Sequence, residues 1–150
     1  MVFPPHLLPK ELTKRFAISE KLRLALRSLR TYNIYYIADD GNAIGYCFIK
    51  KNYFNKYSFM DKNDVIINPY LVDSAYRGHH LGAQLIQYAM DDLINQYSKM
   101  WAVIEKDNIA SIKTVESLGF SLIGYAKSKH FSWKLCNEQT NLVVYNIKSK

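Results

Sequence analysis

A chain of 150 residues fits one domain, long enough to bury about 68–70% of its unfolded surface. With 49% hydrophobic and 22% charged residues it reads as globular, and no run nears the roughly 20 apolar residues of a membrane span. The net charge of +7 asks for an anionic partner or a solubility role; the scattered basic residues make nucleic acid the less expected partner, a cofactor carrying several phosphates suits the surface as well, and charge alone does not separate the two.

The first residues, MVFPPH, lack the charged and apolar blocks of a secretory leader, so a cytoplasmic protein is expected. Pro9 suits a helix start, and residues 10–17 give an amphipathic turn or two. Ser19 suits an N-cap for a second helix, with Leu22, Ala25, Leu26 and Leu29 as its apolar stripe. Its other face carries Lys21, Arg23, Arg27 and Arg30, a solvated basic face or a docking surface for acidic partners.

Tyr32 to Ala38 alternates as a strand, Asp39 to Asn42 reads as a hairpin turn, and Ala43 to Lys50 returns. Cys47 lies in that apolar run and Cys136 is far away. Neither has metal-ligand spacing, so no metal site is expected, and Cys47 is expected to be a buried thiol rather than a catalytic one. Residues 52–63 show no period and read as a loop.

Val65 to Ile67 is a β-branched run, followed by Tyr70, Leu71 and Val72, which completes a three-stranded antiparallel meander. From Leu81 the spacing becomes helical: Gly82, Leu85, Ile86, Ala89, Met90 and Leu93 share one stripe. Between strand and helix stand Arg77, Gly78, His79, His80, Leu81, Gly82 and Ala83. Unpartnered N–H groups and the helix dipole make such an end attractive to anions. Glycines at 78 and 82 admit a phosphate to the backbone, and Arg77 adds a full charge.

Met100 to Ile104 reads as a strand parallel to the one beginning at Asp64, because a helix joins them. Asn108 is an N-cap, Ile112, Val115 and Leu118 form the next helix stripe, and Gly119 ends it. Residues 121–131 and 141–147 are expected to close the sheet as a hairpin.

Two segments carry a family resemblance. Residues 72–83, VDSAYRGHHLGA, resemble the pyrophosphate-binding motif Arg/Gln-x-x-Gly-x-Gly/Ala of the GNAT superfamily of acetyl-CoA-dependent N-acetyltransferases. Arg77 and Gly82 match its ends, while His80 stands where the family has a glycine. Either His80 takes a conformation open to a non-glycine residue, or the loop is reshaped and CoA binds more weakly. Residues 101–120, WAVIEKDNIASIKTVESLGF, resemble the family's strand, Asn-x-x-Ser/Ala, helix and Leu-Gly-Phe pattern. The wording is most similar to the branch of ribosomal-protein and small-molecule acetyltransferases.

The resemblance implies an α/β GNAT fold: a mostly antiparallel mixed sheet with one central, splayed parallel pair and flanking helices. GNAT domains open with a strand, for which residues 1–6 are short and proline-broken. That strand is therefore expected to be lost, atypical or supplied by another chain. The implied chemistry is acetyl transfer from acetyl-CoA, as co-substrate, to a primary amine of a small molecule or a protein N-terminus. The pantetheine arm would lie along Tyr70, Leu71 and Val72, splayed by a bulge near Asn68 and Pro69. The N–H of Leu71 or Val72 is the candidate oxyanion donor. Cofactor contacts would come from Leu71, Val72, the 77–83 loop, Asn108 and Ser111.

Many family members use a tyrosine four residues after the Ser111 position as acid; Val115 stands there. Ser111 is then either a donor to the CoA sulfur or a first-turn serine serving backbone amides. Glu105 either relays a proton through water or is a solvated turn residue. Tyr70 and His130 are further candidates, and Glu116 reads as structural. Tyr70, Tyr125, His130, Phe131 and Trp133 are expected to form an aromatic acceptor wall. A degenerate GNAT domain that binds CoA or a protein partner without turnover is the second reading, and a homodimer stays open.

Overall fold

The computed structural model describes residues 2–3, 33–52, 56–130 and 132–149. The two helices expected before residue 32, and Phe131, lie outside them. Eight strands form one sheet: β1 (Val2–Phe3), β2 (Asn33–Asp39), β3 (Asn42–Lys51), β4 (Val65–Val72), β5 (Lys99–Glu105), β6 (Ser121–Lys129), β7 (Ser132–Cys136) and β8 (Leu142–Lys148). Helix α1 spans Leu81–Asp92 and α2 spans Ile109–Ser117. The spatial order is β1-β2-β3-β4-β5-β8-β6-β7. Among these strands β4 and β5 form the one parallel pair, joined by α1 as the crossover.

Local chemistry explains most of these elements. Asp40 (φ 45°) and Gly41 (φ 72°) form a two-residue turn with both φ positive, the hand that matches the twist of β2 and β3. The Asn108 side chain accepts from the Ser111 N–H at 3.2 Å and caps α2. At the far end Gly119 (φ 86°) turns left-handed, and the amides of Gly119 and Phe120 return to the carbonyls of Glu116 and Val115.

The stripe on α1 is buried as expected: Leu85, Ile86, Ala89 and Met90 pack with Val115 of α2 against Val65, Ile67, Met100 and Ala102. The opposite face of the sheet buries Ile66, Trp101 and Val144 with Tyr57 and Met60. Each fully buried aliphatic side chain contributes about 1.5–3 kcal/mol. The Asp64 carboxylate, fully buried, accepts from the Asp61 N–H (2.9 Å), the Lys99 N–H (3.1 Å) and Trp101 Nε1 (2.8 Å). It joins the start of β4 to the start of β5.

The opening strand among the described residues is the two-residue β1, pairing Val2 with Tyr35 and Phe3 with Ile34. One expectation changes. The closing hairpin is not a pair of strands: β6 turns at His130 (φ 48°) into β7, and β8 then inserts between β5 and β6. The edge strand Ser132–Cys136 is not among the expected strands; its Trp133 and Leu135 alternate with Ser132 and Lys134, but the run is only five residues long and Lys134 and Leu135 are both exposed.

Candidate active site

The turn after β4 is held by short local bonds. The Asp73 N–H donates to the Ile44 carbonyl at 2.7 Å, and the Asp73 side chain accepts from the Ala75 N–H at 3.0 Å. The Tyr76 hydroxyl donates to Asp39 at 3.0 Å, which ties the turn to β2. Arg77 Nε donates to the Val72 carbonyl at 3.2 Å, so the guanidinium is fixed where β4 ends.

Gly78 (φ 85°) and His80 (φ 58°, ψ 16°) are both left-handed, and a Cβ at Gly78 would meet only open space. Histidine is among the few side chains that enter this region readily. Of the two outcomes open for His80, the first holds: it keeps a glycine-like backbone with its ring exposed. The first helical bond of α1 runs from the Gln84 N–H to the His80 carbonyl, and the amides of residues 78–83 meet no acceptor among the described residues. They form the positive end of a twelve-residue helix.

The strand pair opens beside this turn. β4 pairs with β5 only through Val65, Ile66 and Ile67, opposite Met100, Trp101 and Ala102. On the other edge of β4 the register with β3 slips: Ile67 faces Ile49, but Tyr70 faces Cys47. Asn68 and Pro69 together oppose Phe48, the expected bulge, and the Asn68–Pro69 peptide is cis.

A bulge shifts the side-chain alternation by one. Ile67 and Tyr70, three residues apart, therefore both point to the helix side of the sheet. The same alternation orients the amides. Because the Asp73 N–H faces β3, so do the N–H and carbonyl of Leu71, while those of Val72 and Tyr70 face the gap. The Val72 carbonyl accepts from Arg77 Nε, and of the two candidate donors the Val72 N–H faces the gap while that of Leu71 faces β3.

On α2, Ser111 and Thr114 face Tyr70. The Tyr70 phenol is raised above its ordinary value by burial, with the neighbouring Ser111 and Thr114 hydroxyls pulling it partly back. Neither contact has hydrogen-bond geometry, so the buried Tyr70 oxygen lacks a partner among the described residues. Thr114 was not anticipated; its position three residues after Ser111, on the same helix face, was the available signal. Gly82 closes the group, since a Cβ there would stand 3.5 Å from the Tyr70 ring and 4.0 Å from the Thr114 methyl.

Other candidates lie further out. Glu105 is exposed at the end of β5, where its carbonyl accepts from the Asn108 N–H at 2.9 Å. Val115 is fully buried in the core, and Glu116 accepts from the Tyr145 hydroxyl at 2.8 Å, a structural bond. The aromatic wall does not form as one surface. Tyr70 and Tyr125 pack on the helix side of the sheet, Trp133 packs on the opposite side, and His130 is exposed at the β6–β7 turn.

The fold has counterparts among solved structures. An N-acetyltransferase from Staphylococcus aureus Mu50 superposes with a TM-score of 0.64 at 20% identity, covering 91% of this chain and 80% of that one. The structure of yncA from Salmonella typhimurium, solved with acetyl-CoA, gives 0.65 at 20% identity over 93% of this chain and 78% of that one. The ribosomal-protein-S18-alanine N-acetyltransferase of Escherichia coli gives 0.62 at 17% identity over 91% and 81%. No curated protein sequence matches the chain. The sequence profile of the Acetyltransferase (GNAT) family matches residues 6–120, and on that match the chain belongs to the GNAT family of acetyl-CoA-dependent acyltransferases.

Proposed function

We propose that this enzyme moves an acetyl group from acetyl-CoA to a primary amine, carried by a small molecule such as an amino sugar or an amino-acid derivative. The observation that carries the reading is a parallel strand pair that parts beside a turn of open amides. The residues present fit the coenzyme. Arg77 and the amides of Gly78, His79, His80, Leu81, Gly82 and Ala83 suit a diphosphate. The edge of β4 at Tyr70 and Val72 offers backbone groups to an amide-bearing arm, and Asn108 stands at the near end of α2.

When bound, acetyl-CoA supplies the activated acyl group. The protein then has to stabilise charge on the thioester oxygen and move protons. The Val72 N–H points into the gap, and one such donor is worth roughly 2.7–4 kcal/mol at the transition state. Ser111 faces the same space and serves as a hydrogen-bond donor toward the sulfur. Glu105, exposed at the mouth, suits a water-mediated path for protons leaving the amine. A cytoplasmic setting goes with this reading.

Calorimetry with acetyl-CoA, followed by free-thiol release over a panel of small amines and N-terminal peptides, tests it. Saturable binding with thiol release on a small amine is expected. Release only on peptides would move the acceptor to a protein N-terminus. Tight binding without release on any amine would favour a non-catalytic CoA-binding domain, and no binding would end both readings.

A further inference from the structure

We propose that the Tyr70 phenol, arriving from β4 rather than from a helix, is the proton donor of this reaction, acting through the Ser111 hydroxyl. The inference rests on the acetyl-transfer reading and extends it to a residue. Val115 is fully buried and offers no proton, so α2 brings no phenol of its own to the gap. The bulge at Asn68 and Pro69 turns Tyr70 toward α2, where an unbulged strand would send it to the other face.

The Tyr70 hydroxyl is a buried polar atom with no partner among the described residues, a rare and costly arrangement in a folded protein. Its two neighbours differ. Thr114 commits its hydroxyl proton to the Ala110 carbonyl at 2.8 Å. The Ser111 hydroxyl has no hydrogen-bond partner among the described residues, so it can rotate to take a proton from the neighbouring Tyr70 while giving up its own. The titratable neighbour acting on Tyr70 is the Cys47 thiol of β3, itself held neutral by full burial; α1 and α2 present Gly82, Ser111 and Thr114 to it.

The step balances. The amine lone pair forms the C–N bond as the C–S bond breaks, its electrons staying on sulfur. Ser111 passes its proton to the sulfur and takes that of Tyr70. The tyrosinate recovers a proton from the acylated nitrogen, leaving a neutral amide, a thiol and a neutral phenol.

Tyr70→Phe tests this. Removing a partnerless hydroxyl should leave the melting temperature at or above that of the wild type. The acetyl-CoA Kd by calorimetry should stay within about threefold, while kcat falls by about 10²–10³. In the wild type the alkaline limb of kcat should lie above the ordinary phenol value of 10.0, because burial raises Tyr70, and the variant should lose that limb. With tyrosine labelled at the ring carbon bearing oxygen, the Tyr70 signal, identified as the one missing in Tyr70→Phe, should move when free CoA is added. Unchanged kcat and pH profile in Tyr70→Phe would overturn the proposal, as would loss of coenzyme binding or a Tyr70 signal indifferent to CoA. Failure of the wild type to release thiol from acetyl-CoA is a different result, and it removes the acetyl-transfer reading together with this one.

Discussion

The two halves of β4 share one backbone and do opposite work. Val65, Ile66 and Ile67 are buried, bonded on both edges, and anchored through Asp64 to β5. Tyr70, Leu71 and Val72 are bonded on one edge only, and Leu71 is 42% exposed. What separates them is a two-residue bulge. On the proposed function, stability and ligand recognition are segregated along a single strand, and each half should be open to damage without the other.

The largest effect should come from the buried half. Ile66→Ala removes a side chain packed against Trp101 and Val144, and should cost about 2–5 kcal/mol in denaturant unfolding. Acetyl-CoA affinity of the folded fraction should stay within about threefold. A change in affinity as large as the change in stability would merge the two halves.

Gly82→Glu attacks the open half. Its carboxylate would enter the turn of amides, and acetyl-CoA affinity should fall at least about 100-fold, with unfolding nearly unchanged. Gly82→Ala is the control, since its Cβ makes ordinary contact with Tyr70 at 3.5 Å. Calorimetry on both decides whether the turn holds the phosphates.

Gly45→Ala sharpens the comparison. The added Cβ would lie 3.1 Å from the Leu71 carbonyl and 3.4 Å from Val72, so it presses on the open half from behind. A penalty of about 1–2 kcal/mol, typical of mild overpacking, should appear mainly as weaker acetyl-CoA binding. An equal loss in stability with intact binding would count against a separable open half.

The smallest effect belongs to neither half. Tyr145 on β8 is pushed up from 10.0 to about 12 by burial, and by its bond to the Glu116 carboxylate. Its folded value lies above its unfolded one, so its contribution is complete below pH 10 and fades as pH rises toward about 12. Tyr145→Phe should flatten the stability curve in that window and leave acetyl-CoA binding untouched. An unaltered alkaline slope would show that the phenol does not feel the carboxylate.

The same division explains what could be read from the residues alone. Local chemistry was legible: the Asp40-Gly41 turn, the Asn108 cap, the Gly119 ending, the stripe on α1 and the 77–83 turn all follow from residue types at fixed offsets. Pro69 even announced the bulge. Properties that depend on parity across the bulge were not legible, because one extra residue inverts every later direction. Hence residue types alone do not separate Leu71 from Val72 or bring Tyr70 to Thr114, whereas Tyr125 and Trp133 part by the pairing of β6 with β7, which the sequence does not show. β7 is hard to read for a simpler reason: at five residues on the sheet edge, its alternation is too short to stand out.

Asp64 has a mechanical consequence. Three donors converge on this buried carboxylate, so β4 and β5 form a clothes-peg whose pivot is at Val65 and Met100 and whose jaws are at Val72 and Glu105. Opening of the jaws to admit and discharge a long, thin molecule would leave the pivot still. Amide exchange at the gap edge should quicken along β4 with distance from Asp64, and Asp64→Ala should erase that gradient by loosening the pivot itself.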